Sequence, residues 1–342
     1  MELTSFIFDP RPQYPLVVTA KRYSHPSFHP DDPHALTLIL THGTGFFKEH
    51  WEPTIDHLVN LLSNDKQSRP KIHEIWSLDC PNHGAAAILN EEELQWGYSA
   101  VFGWEEYARS VQTFLKGKGT GVPVDFSSRR LVGIGHSMGA ISLMISRTYV
   151  SPVDFAALIL VEPMLLPPAI SQSPDKNLLR KGAEGRRDIW PSRAAAFELM
   201  QSRPTWKTWD PRILKLYIEH GLRDLPTITY PDKEGVTLTC TRQQEVACYS
   251  DNLGRARAYK YLATLCSEIP VHFVHGAVSE PYLPTEIKDY VANEITQGRA
   301  ASISKVAGAG HLVVQTHPQG LATAIYNILR KESARASILS RL

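Results

Sequence analysis

The run RLVGIGHSMGAISLMI, residues 130–145, limits what this chain can fold into more than any other stretch. Leu131, Val132 and Ile134 form a short apolar run, suited to a parallel strand covered on both faces. Gly135-His136-Ser137-Met138-Gly139 then matches G-x-S-x-G, and Ala140 to Ile145 begins an apolar helix. In such a strand-to-helix turn the middle residue is held in a strained backbone conformation, with its side chain pushed above the sheet edge. The flanking glycines are needed because a Cβ there would strike the neighbouring strand or helix. Ser137 is the candidate nucleophile.

A serine hydroxyl is a poor nucleophile until a base takes its proton during attack. An imidazole suits that role, and a carboxylate fixes its tautomer. Fourteen histidines are present, so position must single one out. His311 follows the last strand pattern in Ala307-Gly308-Ala309-Gly310-His311, where Gly308 and Gly310 let the loop reach back toward the turn. His42, His136 and His317 are read as supporting residues. Two glutamates are candidates for the acid. Glu162 ends the strand Phe155–Val161 beside Pro163, an odd place for a carboxylate without a partner. Glu280 follows Gly276-Ala277-Val278-Ser279, which lacks an Asp. Glu162 is preferred, with Glu280 as the alternative. A second strand, Leu36–Thr41, stops at His42-Gly43-Thr44-Gly45, where a backbone N–H can face a developing oxyanion beside that of Met138. Thr44 is the first choice there and Gly45 the second.

Strand patterns also occur at 6–8, 16–20, 72–78, 271–276 and 303–306, and helical ones at 51–62, 104–115, 285–296 and 319–330. Strands alternating with helices imply a mostly parallel α/β sheet flanked by helices. Asp79, at the end of 72–78, reads as a turn-stabilising carboxylate. From 165 to 265 strand character fades, and the segment becomes charged, Pro-punctuated and largely helical, too long for a simple connection. The expected organisation is a core of residues 1–164 and 266–342 with a helical lid at 165–265. Within the lid Arg180, Lys181, Arg186 and Arg187 could meet phosphates, although a solvated charge run is the preferred reading.

A formal net charge of +1 argues against nucleic-acid binding driven by bulk charge. No stretch approaches the length of an apolar membrane span. The four cysteines show no metal spacing and Met1–Pro15 no secretory pattern, so free thiols in a reducing compartment are expected. Ser340-Arg341-Leu342 resembles the S-K-L type of peroxisomal address, which an import receptor would read.

Gly135-His136-Ser137-Met138-Gly139, His42-Gly43-Thr44-Gly45 and Gly310-His311 resemble the motifs of α/β-hydrolases, in the order Ser, acid, His. The phrases LILTHGTGFFKEHW, LVEPML, RRDIWPSR and WDPRILKLYIEHGLRDLP, with the SRL end, are similar to peroxisomal α/β-hydrolases of fungal secondary metabolism. That group includes host-selective-toxin biosynthesis proteins and the acyl-CoA hydrolase of mycophenolic acid biosynthesis. The resemblance implies an acid after the earlier strand, which maps to Glu162. The expected function is cleavage of an acyl thioester or ester through an acyl-enzyme, with no metal or cofactor. The alternatives are a carboxylesterase or lactonase that does not use CoA, and a binding or cyclising protein on the same fold.

Overall fold

The computed structural model describes residues 1–65, 70–168, 170 and 177–339 of the 342. The expected address at 340–342 lies outside them. Eight strands form the main sheet: β1 (Glu2–Phe8), β2 (Val18–Ser24), β3 (Leu36–Thr41), β4 (Ile72–Leu78), β5 (Arg130–His136), β6 (Phe155–Val161), β10 (Val271–Gly276) and β11 (Ser302–Val306). Their spatial order is β1-β2-β4-β3-β5-β6-β10-β11. β1 and β2 join antiparallel, and the pairs from β4 to β11 are parallel. The sheet switches direction of winding beside β3 and β5, where ligands gather in open α/β sheets.

Alternation along the strands supplies two cores. Leu38, Leu40, Val132 and Ile134 face one layer, with the helices Glu52–Asn64 and Pro318–Leu339 over it. Ile39, Leu131, Leu158 and Leu160 face the other, under Trp104–Leu115 and Met138–Ser146. On β5 two positions of that second face are Gly133 and Gly135. A Cβ at Gly135 would lie 2.5 Å from the Ala140 nitrogen, so its absence lets the helix after Ser137 fold back onto its own strand.

β2 begins two residues later than the apolar run suggests and takes in Lys21 and Arg22. This strand is not buried on both sides, and Lys21 pairs with Glu49 and Glu52 at 3.2 and 3.0 Å. The segment after 164 also holds short strands among its helices. β7 (Ile189–Trp190), β8 (Leu222–Asp224) and β9 (Val236–Leu238) make a small antiparallel sheet in the order β7-β9-β8. Strands of two or three residues are too short to leave an alternating signature. Trp190, Met200, Trp209, Ile213, Tyr217 and Leu238 form a third core, to which Phe47 also belongs. The helix Leu253–Glu268 straddles residue 265. Its Ala258, Leu262 and Leu265 join the main core, and it packs on Met138–Ser146.

Candidate active site

Ser137 sits between β5 and its helix with φ 54° and ψ −116°, a backbone state that L-residues rarely hold. Its N–H donates to the Val161 carbonyl at 3.0 Å, which ties the turn to the end of β6. Ser137 Oγ lies 3.0 Å from His311 Nε2, and His311 Nδ1 lies 3.1 Å from Glu162 Oε2. The three side chains come from the ends of β5 and β6 and from the loop after β11.

Glu162 is fully buried and itself has φ 46°. Its second oxygen, Oε1, accepts from the Gly276 N–H at 2.6 Å and from Lys288 Nζ at 2.8 Å. Burial alone would raise its pKa. The His311 and Lys288 donors, with the His275 ring 3.7 Å away, outweigh burial and hold it far below the usual carboxylate range. Glu280 makes no hydrogen bond to His311 among the described residues, and its carboxyl leans instead against Gly310. The acid facing His311 is therefore Glu162.

The two amides expected to face an oxyanion, the N–H groups of Thr44 and Met138, have no acceptor among the described residues. Gly45 differs, because its N–H donates to His83 Nε2 at 2.9 Å. His83 Nδ1 is 2.6 Å from Asn82 Oδ1, so Nδ1 carries the proton and Nε2 is free to accept. Burial first, then His42, holds this ring well below its ordinary pKa and therefore neutral. Gly45 is thus committed elsewhere, and Thr44 remains. Asp79 holds the same loop: its Oδ1 accepts the Lys48 N–H at 2.8 Å, and its Oδ2 accepts Lys48 Nζ at 2.6 Å and Thr19 Oγ1 at 2.7 Å. Gly43 permits the approach, since a Cβ there would stand 2.9 Å from His136 Nδ1. His42 and His136 are structural. His42 Nε2 accepts the Cys80 N–H, and His136 Nε2 donates to the His311 carbonyl at 2.9 Å. His317 contacts Thr316.

A cavity of about 590 Å³ opens over Ser137 and His311. Its wall is mostly aromatic and aliphatic, with Phe46, Trp206, Trp209 and Tyr217 on one side and Met164, Leu178 and Leu179 on another. The cations Arg180, Lys181, Arg186 and Arg187 do not share a patch. Arg180 pairs with Glu184 on the surface, while Lys181 and Arg187 are exposed. Only Arg186 lines the cavity, bound to Glu245 at 2.7 Å and to the Tyr217 hydroxyl at 2.6 Å. The helix Leu178–Gly185 ends just before them, so Arg186 and Arg187 fall in extended chain and point to opposite sides.

Sequence reading missed Lys288 and His83, and it gave Asp79 a turn-stabilising role without its partners Lys48 and Thr19. Lys288 did leave a trace: it falls on the apolar stripe with Val291, Ala292 and Ile295, where an unpaired lysine would not be buried.

This fold and geometry are those of an α/β-hydrolase, and residues 38–324 match the model of the Alpha/beta hydrolase family, to which the chain belongs. Among individual relatives, a type I acyl-CoA thioesterase of Penicillium brevicompactum is 34% identical over 209 residues, covering 60% of this chain and 44% of the relative. An abhydrolase domain-containing protein of Alternaria alternata is 31% identical over 120 residues, covering 35% of this chain and 44% of that protein. The matched part thus spans less than half the length of these relatives. Among solved structures, the peroxisomal alpha-beta-hydrolase of Saccharomyces cerevisiae superposes with a TM-score of 0.72 at 20% identity, over 97% of this chain and 88% of that one. A thioesterase domain from the curacin biosynthetic pathway gives 0.64 at 13% identity, over 95% and 99%.

Proposed function

We propose that the protein is a serine-dependent hydrolase of acyl thioesters, acting on a polyketide-like or fatty acyl group of secondary metabolism. Ser137 Oγ attacks the acyl carbon while His311 Nε2 takes its proton. Charge gathers on the carbonyl oxygen and is met by the Thr44 and Met138 N–H groups. The intermediate collapses, His311 returns the proton to the leaving thiol, and an acyl-Ser137 ester remains. Water activated by the same imidazole then releases the acid. Glu162 keeps the His311 proton on Nδ1, which leaves Nε2 able to accept. The apolar cavity receives the acyl chain, and the segment after 164 serves as its lid.

One observation carries the reading: the unbroken line Ser137–His311–Glu162, with links of 3.0 and 3.1 Å, at the floor of an apolar cavity. The likeness to acyl-CoA thioesterases supports the thioester among possible acyl donors. A fluorophosphonate probe should label the wild type and not Ser137→Ala. Acyl-CoA should turn over faster than the oxygen ester of the same acid. The reverse order would favour an esterase or lactonase, and an unlabelled wild type a binding or cyclising protein. The reading extends to the peroxisome, where Ser340-Arg341-Leu342 leads one to expect the chain. A fluorescent fusion that ignores deletion of those residues removes that part.

A further inference from the structure

Among the described residues two cations line the cavity, Arg186 and Arg255, and they differ in one respect. Arg186 is neutralised by Glu245. Arg255 is only 7% exposed and forms no ion pair among the described residues. Its Nη2 donates to Asn252 Oδ1 at 2.8 Å and to the Asp251 carbonyl at 3.3 Å, both uncharged acceptors. Its buried Nε has no acceptor among the described residues. The nearby Asp251 carboxylate accepts the N–H groups of Trp104, Leu253 and Gly254 and attracts the guanidinium only through space, with no hydrogen bond or ion-pair contact between the two among the described residues. The guanidinium instead stands over the Trp104 ring, 5.6 Å from its centroid. A buried charge with no anion in direct contact is costly, and proteins rarely keep one that does nothing.

The position of Arg255 says what it serves. A second cavity of about 200 Å³ continues from the first, and Met164, Asn177, Leu178, Leu179, Arg255 and Tyr282 line both. Arg255 is the sole charged residue among these shared six. Beyond it, among the described residues, the second cavity is lined by Leu166, Ile170, Pro281, Pro284 and Ile287, which carry no charge. An acyl chain running from Ser137 into the second cavity must pass Arg255.

We infer that Arg255 is a specificity residue that binds a carboxylate carried on the acyl chain, so that the preferred substrate is a carboxyacyl thioester rather than a plain fatty acyl one. This rests on the thioesterase reading above and names its substrate class. A carboxylate supplies the anion in contact that Asp251 does not, and accepts from the unused N–H donors, the charge-assisted pairing at which Arg excels. The phosphates of CoA offer the same anionic oxygens. One cation in an apolar wall suits one carboxylate better than a diphosphate, which calls for several donors.

The test compares paired thioesters of equal length, one ending in methyl and one in carboxylate, each made both on CoA and on N-acetylcysteamine, which lacks phosphate. The wild type should prefer the carboxylate member on both carriers. Truncating one partner of a buried charge pair typically costs about 2 kcal/mol or more, so Arg255→Met should lower the carboxylate-to-methyl ratio of kcat/KM about 30-fold. Arg255→Lys should restore part of the ratio. Equal loss for both members would make Arg255 merely structural, and a loss tied to CoA whatever the acyl end would assign it to phosphate; either result overturns the inference. If no thioester turns over at all, the hydrolase reading fails instead. Calorimetry of monomethyl octanedioate against methyl octanoate on Ser137→Ala then decides the carboxylate site alone: equal binding removes it.

Discussion

Glu162 does two jobs with two oxygens, and this division makes its amide variant informative. Oε1 accepts from Gly276 and Lys288, and Oε2 faces His311 Nδ1. In Glu162→Gln only one oxygen remains. The two donors at the Oε1 position will claim it, which turns the NH2 group toward His311. That ring must then accept at Nδ1 and carry its proton on Nε2, where it can no longer take one from Ser137. Turnover should fall about 10⁴-fold, as when a triad acid is replaced by its amide elsewhere. The fluorophosphonate labelling rate should fall in parallel. A variant keeping more than a tenth of wild-type activity would mean that Glu162 does not set the tautomer. Glu280→Gln serves as the contrast, since that carboxyl makes no bond to the ring among the described residues.

At the scale of elements, the site depends on how closely strands and helices approach. A Cβ at Gly139 would meet the backbone of Thr41 and His42 at 2.6 Å, where no flexible side chain can give way. Overpacking of this kind costs about 1–3 kcal/mol, and here it would also push β3 and the Thr44 loop away from Ser137. Gly139→Ala should therefore lower the urea midpoint and kcat together. A variant with native midpoint and native kcat would show that the two backbones can part freely. The helix Thr285–Tyr290 contributes differently, through Lys288, which is 2% exposed. Lys288→Met leaves half of the Glu162 carboxylate without its cation. Breaking a buried pair from one side costs on the order of 3 kcal/mol, again readable as a shift of the urea midpoint. A shift below about 1 kcal/mol would mean that the Gly276 N–H and the histidines suffice to hold the charge.

Across the whole molecule, what is local in the chain is legible from it and what is long-range is not. The turn at Ser137 is written in glycines two residues to either side, and the reach of His311 in Gly308 and Gly310. The choice between Glu162 and Glu280 depends on which strand end the His311 loop crosses, a fact of sheet order that no local pattern records. Arg255 lies on the helix Leu253–Glu268, which the sequence assigns mostly to the lid and the structure to the main core. The same long-range packing buries a set of histidines that should make the molecule acid-labile. Burial, then His311, pushes His136 down to about 3 from an ordinary 6.5. Burial also lowers His42, His50 and His83. The unfolded chain takes up protons at these rings as pH falls through 6.5, and the folded chain refuses them. Stability must then decline with falling pH, because the unfolded state binds more protons. The carboxylates add later. Glu49 is held at about 2, with burial opposed by Lys48 and Lys21. Its contribution, and that of Glu162, is complete above the ordinary 4.5 and shrinks as pH drops below it. Urea midpoints taken from pH 8 to 4 should hold level to about 6.5, slope downward from there and steepen near 4.5. His50→Gln should flatten the upper part of that slope and leave the lower part. Level stability down to pH 5 would mean that these rings gain protons without unfolding, and that water reaches them in the native state.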